Sequence, residues 1–295
     1  MDPEIILNSR NDKNKKIKVL ILVLCSRNYL SHISSKKQRK IWSKYNTNFQ
    51  IFHFVGQPYQ SERETDYIVN QHYEYLEIET NDNYENIAKK TLLALEKVHS
   101  NHYFDYVFRT NTSSFINLRK LQRFIMNNKE SLDYAGAVLK VEEGDTIASG
   151  AGFFLSRKNL EIILDNKEDF DDSLPDDVAI ARLLNDFKIK PKNLIRRDLK
   201  TIPYPKDVFN SEHFHYRCRL DPAYHRILEP LLMSYLDKAS EKNNLNSKIH
   251  FLFLKILFMF SNIKIIYQFI QKYYSYKFYG ELSFRNFLIF NKKEK

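Results

Sequence analysis

At 295 residues the chain is long enough for one large domain or two small ones, and its 43% hydrophobic content supports a substantial core. A formal charge of +10 favours anionic partners such as nucleotides, nucleic acids or an acidic membrane surface. Cys25 and Cys218 match no metal spacing, which excludes a zinc module and predicts free thiols in a reducing compartment.

In chain order, residues 1–16 are polar. Residues 17–24 are continuously apolar, as expected of a central parallel strand covered on both faces. That run is too short for a signal anchor, so no N-terminal targeting segment is expected. It ends in Cys25-Ser26-Arg27-Asn28. Ser34 or Ser35 is placed to cap a basic helix that carries Trp42, the sole tryptophan. Residues 49–55 form a second strand, Ser61 to Glu64 has the spacing of a capping box on a short helix, and residues 75–78 form a third strand. From Ile87 onward Thr91, Leu92, Leu95 and Val98 follow helical spacing, and Asn86 and Lys90 share a face.

Residues 103–108 form an apolar strand that breaks into the polar run Arg109-Thr110-Asn111-Thr112-Ser113-Ser114. Asn117 can cap a helix reaching to about Asn128. Residues 135–141 form a strand. Four of the six glycines lie between Gly136 and Gly152, where the backbone turns or approaches something closely. Residues 146–156 are a glycine-punctuated loop running into an apolar segment, with Ser156 as the next cap. Pro175-Asp176-Asp177 opens a helix to about Phe187, with carboxylates favoured by the helix dipole. Residues 189–204 form a strand-like connection, 214–218 a short strand and 222–236 a helix. Residues 239–247 form a polar linker. Residues 249–270 form two amphipathic helices that pack on the core or lie at a membrane surface, since Lys255 and Lys264 argue against a membrane span.

Dinucleotide and phosphate-loop glycine motifs, the H-E-x-x-H zinc motif and the G-x-S-x-G elbow are all absent from the sequence. What remains is a set of polar residues at strand ends: Ser26, Arg39, Asp82 to Lys90, Arg109 to Ser113, Ser149 to Gly152, and Asp176 with Asp177. Cations early and carboxylates late suit a nucleotide-diphosphate donor and a hydroxyl acceptor. In an open α/β sheet such ligands bind beyond the carboxyl ends of the strands.

Five of these segments resemble blocks of glycosyltransferase family 31, the β-1,3-galactosyltransferase, N-acetylglucosaminyltransferase and Fringe group. Arg39-Lys40-Ile41-Trp42 is similar to I-R-x-T-W, and residues 82–92 to D-x-Y-x-N-L-T-x-K-T-L. Residues 106–117 line up with Y-x-x-K-T-D-D-D-x-F-V-N, residues 148–156 with Y-x-S-G-x-G-Y-x-L-S, and Pro175-Asp176-Asp177-Val178 with the E-D-V block. The resemblance fades after about Tyr204. It implies a GT-A-like nucleotide-sugar transferase fold: α/β, with a mainly parallel central sheet flanked by helices over residues 15–238, and a helical, apolar C-terminal extension over 248–295.

The resemblance also implies roles. Ser26, Arg39, Asp82, Asn86, Lys90, Arg109, Asn111 and Ser113 hold a UDP- or GDP-sugar. Gly150 and Gly152 let backbone approach the sugars. Asp177, beside Asp176, is the general base of an inverting transfer to a glycan or glycolipid hydroxyl. On local sequence alone, Asp176 and Asp177 are equally helix-capping carboxylates, Asn86 and Lys90 a solvated helix face, and Arg39 with Trp42 a surface cation and a core aromatic.

The departure from the pattern is Asn111-Thr112-Ser113, where the family has three aspartates for a divalent cation. Amide and hydroxyl oxygens neutralise none of a cation's charge. No residue is therefore assigned as a metal ligand. Mn2+ or Mg2+ bound here would depend on the diphosphate and on a histidine such as His215. Two expectations follow: an active enzyme that needs metal weakly or not at all, with Arg109, Lys90 and Arg39 supplying positive charge, or an inactive sugar- or nucleotide-binding module of the same fold. Nucleic acid is not an expected partner, since no recognition module is present. A cytoplasmic location is expected, with peripheral membrane contact through 249–270.

Overall fold

A computed structural model describes residues 17–45, 49–57, 75–128, 131–141, 144–221, 223–241 and 244–260. The helix expected at Ser61 to Glu64 and the second half of the 249–270 segment lie outside them.

The chain begins with β1 (Val19–Leu24), α1 (Tyr29–Trp42), β2 (Gln50–Gln57) and β3 (Tyr75–Asn81). It continues through α2 (Ile87–Asn101), β4 (Tyr106–Asn111), β5 (Ser114–Ile116) and α3 (Leu118–Asn128). The long β6 (Tyr134–Lys140) and β7 (Thr146–Ser156) follow, then α4 (Arg157–Asp165) and α5 (Asp176–Asp186). The last part holds β8 (Lys192–Asn193), β9 (Arg197–Asp198), α6 (Pro205–Phe209), β10 (His215–Arg217), α7 (Glu229–Glu241) and α8 (Leu245–Phe260).

Seven strands form the main sheet in the order β3-β2-β1-β4-β7-β6-β8. The pairs β3–β2, β2–β1, β1–β4 and β6–β8 are parallel, and β7 runs antiparallel to both its neighbours. The mainly parallel sheet flanked by helices is the expected fold class. The apolar run of β1 is explained by its alternation. Val19, Ile21 and Val23 enter one buried cluster with Ile41, Leu121 and Leu232, while Leu20 and Leu22 enter the opposite one with Leu95, Leu160 and Ile180. Helices on both faces leave no position of the strand for a polar side chain. A smaller sheet, β5-β10-β9, closes one end.

The chain goes out from β1 through β2 to β3, then returns across β1 to β4. The order of the sheet therefore reverses between β1 and β4, which places a ligand crevice at their carboxyl ends. The two loops meet there: the Thr112 amide donates to Leu24 O at 3.3 Å, and the Thr112 and Ser31 hydroxyls lie 3.2 Å apart.

Four local expectations need correction. The first helix begins at Tyr29, because the Asn28 side chain accepts from the Ser31 amide at 2.8 Å; Ser34 and Ser35 lie buried inside it. Residues 146–156 are not a loop but one eleven-residue strand, held by ladders to β4 and β6, so its glycines serve close approach. The polar linker shrinks, because α7 runs to Glu241 and α8 begins at Leu245. Asp237 is buried against Lys44 and accepts from the Tyr45 hydroxyl at 2.5 Å, and Ala239 is in the core. Those contacts come from almost two hundred residues away and leave no local signal. The helix expected over 222–236 is split into a 3-10 segment over Ala223–Leu228 followed by α7. Helix α8 docks through Leu254, Phe251, Leu257 and Phe258.

Candidate active site

Four segments converge at the carboxyl edge of the sheet: Cys25–Asn28 after β1, Asn81–Asn86 after β3, Asn111–Ser114 after β4, and Ser149–Gly152 within β7. The last arrives because β7 is antiparallel to β4, which sets Gly152 opposite Thr110.

Asp82 ties the first two together. Its carboxylate accepts from the Arg27 amide at 2.5 Å and the Gly56 amide at 3.1 Å, and it forms a buried ion pair with Lys90. Lys90 Nζ also donates to Cys25 O at 3.1 Å. Arg27 is itself buried, with Nε donating to Gly56 O at 2.8 Å and Nη2 3.1 Å from Glu77. A buried pair saturated in this way holds the ends of β1, β2 and α2 in one arrangement. Asn86 sits at the start of α2, its amide nitrogens bonded to Asn83 Oδ1 at 3.1 and 2.5 Å.

Beneath Gly150 lies a second buried pair. Arg109, 1% exposed, meets the carboxylate of Asp176, 4% exposed, and donates through Nη1 to Gly150 O. Thr91 Oγ1 donates to the same carboxylate at 2.8 Å. Burial pushes the Asp176 carboxyl up, and the Arg109 guanidinium opposes it. The pair pins the N-terminus of α5 to the middle of β4. The next residue faces outward: Asp177 is half-buried, with Oδ2 accepting from the Gly150 amide at 2.7 Å and Oδ1 from the Val178 amide at 3.1 Å. Adjacent carboxylates on a helix point about 100° apart, so one is a foundation and the other reaches the crevice.

The run after β4 is an interlocked turn. Asn111 Oδ1 accepts from Ser113 N at 3.2 Å, Ser113 Oγ at 2.9 Å and Ser114 Oγ at 3.1 Å. Gln38 Nε2 donates to the Asn111 and Ser114 carbonyls at 3.0 and 2.7 Å. His215 Nε2 lies 3.1 Å from Ser114 Oγ. Burial holds this imidazole well below its ordinary pKa, with Arg196 and Arg217 acting in the same direction, so it is neutral. A hard divalent cation does not suit this set. The amide oxygen is occupied by three donors and the serine is engaged. Among the described residues no three His, Cys, Asp or Glu side chains are grouped to hold a metal ion.

Residues 34–147 match the galactosyltransferase family model. The matched stretch contains two of the four segments just described, Asn81–Asn86 and Asn111–Ser114. No curated protein sequence matches the chain. Among solved structures, the galactosyltransferase LgtC in complex with donor and acceptor sugar analogues is 10% identical, with a TM-score of 0.37 over 78% of this chain and 99% of that one. A putative glucose-1-phosphate thymidylyltransferase from Bacillus anthracis in complex with sucrose is 11% identical, with a TM-score of 0.34 over 61% and 87%. The glycosyltransferase GlyE of Streptococcus pneumoniae TIGR4 is 12% identical, with a TM-score of 0.32 over 66% and 47%.

The fold brings Ser26, Asp82, Lys90, Arg109, Asn111, Ser113, Gly150, Gly152, Asp176 and Asp177 to one edge. They divide into two sets. Lys90, Arg109, Asp82 and Asp176 are buried and mutually paired, so neither cation is presented to the crevice. Ser26, Asn111, Ser113 and Asp177 are half-buried at its surface. Arg39 lies over β2 and β3, with its guanidinium 4.4 Å over the Tyr75 ring and Nε 3.4 Å from His53 Nδ1, and its charge acts on Cys25 at the end of β1. Trp42 is a core side chain whose Nε1 donates to Ile116 O at 3.0 Å. Two arginines flanking the crevice, Arg196 and Arg217, were not singled out by the sequence. Their only signal was the cationic density of 196–197 and 217–219.

Proposed function

We propose that this glycosyltransferase moves a hexose from a UDP- or GDP-sugar to a glycan or glycolipid hydroxyl with inversion. The observation that carries the reading is the split pair at the start of α5. Asp176 is spent on Arg109, which leaves Asp177 at the crevice as a carboxylate held by the Gly150 amide.

In the reaction, the acceptor hydroxyl attacks the anomeric carbon from the face opposite the diphosphate. The new carbon–oxygen bond forms as the bond to phosphate breaks, Asp177 takes the hydroxyl proton, and nucleoside diphosphate leaves. Each oxygen of Asp177 uses one lone-pair direction on a backbone amide and keeps another for that proton. The amides also fix the rotamer, which reduces the entropy lost in orienting the base. The space at both glycines is taken by the protein's own side chains: a Cβ at Gly150 would lie 3.0 Å from Asp177 Oδ2 and 3.3 Å from Arg109 Nη1, and one at Gly152 would meet His215. A divalent cation, where the family uses one, supplies charge to the leaving diphosphate; here the cationic side chains of the chain itself take that part.

The reading extends to a cytoplasmic enzyme peripheral to an anionic membrane. No described helix is long and apolar enough to cross one. On α8, Leu245, Ile249, Leu252, Ile256 and Met259 form an exposed stripe at spacings of four and three, with Phe253 and Phe260 beside it. From residue 245 onward the chain has nine Lys or Arg against two Glu. Apolar stripe and cationic surplus together suit an acidic lipid surface.

The test is donor turnover and transfer with UDP- and GDP-sugars, with and without EDTA. Turnover that survives EDTA is the expected result. Nucleotide binding without turnover of any donor would instead identify an inactive binding module, and strict dependence on added Mn2+ would remove the metal-independent version.

A further inference from the structure

With Lys90 and Arg109 enclosed in ion pairs, positive charge at the donor phosphates must come from elsewhere. The structure carries it on the opposite flank of the crevice. Arg196, just before β9, makes a two-pronged contact with Asp198: Nε at 2.5 Å and Nη2 at 2.9 Å. Its Nη1 donates to Ser149 Oγ at 2.9 Å, one residue from the Gly150 amide that holds Asp177. Arg217 in β10 lies directly across from Ser114 and on the same strand face as His215, whose ring reaches the Ser114 hydroxyl. The next amide, Cys218 N, donates to Ser113 O at 2.7 Å.

One carboxylate therefore serves two guanidiniums, and Arg217 is the less satisfied. Its Nη1 is 3.7 Å from Asp198, and its buried Nε has no hydrogen-bond partner. Burial and the neighbouring Arg196, Arg219 and Arg226 all push Arg217 below the ordinary guanidinium value, with only Asp198 opposing. The neighbouring Arg226 has its own carboxylate, Glu229, at 3.0 Å. A cluster with more cations than anions, and with one cation about a quarter exposed, lacks an anion.

We infer that Arg217, held in place by Asp198 and backed by Arg196, binds the diphosphate of the nucleotide donor in place of a divalent cation. This rests on the nucleotide-sugar reading of the site. A guanidinium fork matches two phosphate oxygens, and it stays charged where a lysine would lose its proton. The charge that builds on the leaving diphosphate is then met by a fixed cation that needs no carboxylate ligands, which accounts for Asn111-Thr112-Ser113.

The experiment measures binding of uridine, UDP, guanosine and GDP to the full chain in EDTA, by calorimetry. In the unmodified protein one diphosphate is expected to bind at least ~10-fold tighter than its nucleoside, the worth of one charge-assisted hydrogen bond. Arg217→Gln should collapse that ratio and leave the nucleoside affinity unchanged. Arg217→Lys keeps the charge without the fork and should fall between, and it serves as the reporter if the glutamine variant does not fold. Equal ratios in all these proteins, or a ratio that appears only with Mn2+, would overturn the assignment while leaving a nucleotide site in place. Binding of none of the four ligands would remove the nucleotide-sugar reading as well.

Discussion

Arg109 and Asp176 form an ion pair sealed beneath the crevice, joining the middle of β4 to the first turn of α5. Buried pairs contribute little net stability, but losing one partner strands a charge. Asp176→Asn is expected to destabilise the protein by about 3–5 kcal/mol in urea unfolding. The double variant Arg109→Met with Asp176→Leu should recover most of that loss. A small effect of Asp176→Asn alone would mean that the carboxyl is already neutral.

Asp177 differs from its neighbour in what a change should cost. Asparagine can still accept from the Gly150 amide, so Asp177→Asn should fold normally and bind donor with little change. Its turnover should fall by at least ~10²-fold, the lower end of general-base contributions. Equal loss of donor binding and turnover would show that Asp177 acts as a helix cap.

Gly152 sits where no side chain fits. A Cβ there would meet His215 Cε1 at 2.3 Å and Phe108 Cζ at 3.0 Å, both buried. Gly152→Ala should cost about 1–3 kcal/mol, as overpacking does. The cost should shrink in a His215→Ala background, a coupling that a double-mutant cycle reads directly.

Three imidazoles should make the fold acid-sensitive. Burial lowers His32 to about 4 and holds His53 and His215 well below 6.5, with nearby cations acting in the same direction. The unfolded chain binds more protons than the folded one below the ordinary value, so stability falls as pH drops below about 6.5. For His32 the fall continues to about 4, and for the other two it continues further down. Glu229 works the other way: burial raises it to about 7, so its contribution weakens folding as pH rises from 4.5 to 7. Denaturation midpoints across this range should steepen toward acid in Glu229→Gln and flatten in His53→Gln.

The stripe on α8 should govern membrane partitioning. Leu252→Glu with Ile256→Glu is expected to weaken sedimentation with phosphatidylserine vesicles while leaving donor turnover unchanged. Equal sedimentation of the unmodified protein with anionic and neutral vesicles would argue that another part of the chain covers this face.

Much of the frame was legible before the structure because it is local. The continuous apolar run of β1, the helical spacing from Ile87, the Asn117 and Ser156 caps and the acidic first turn of α5 all express short-range preferences. The site blocks were legible as residue types at strand ends. Their geometry was not. Nothing local distinguishes Asp176 from Asp177, or marks Lys90 as buried rather than solvated. Residues 146–156 read as a loop because their glycines suggested turns; the actual partners of that backbone are the preceding strand β6 and the more distant β4.

The sequence by itself determined the α/β class of the fold and the polar, carboxylate-free run Asn111-Thr112-Ser113 at a strand end. These follow from periodicity and from residue chemistry, which are properties of short stretches. Only the tertiary structure decided which charges are spent and which are available. Lys90 and Arg109 are enclosed by Asp82 and Asp176, while Arg217 is left with a carboxylate 3.7 Å away. The reason is physical: the state of a charge depends on what lies within a few ångströms of it, and here those neighbours come from strands and helices tens of residues apart.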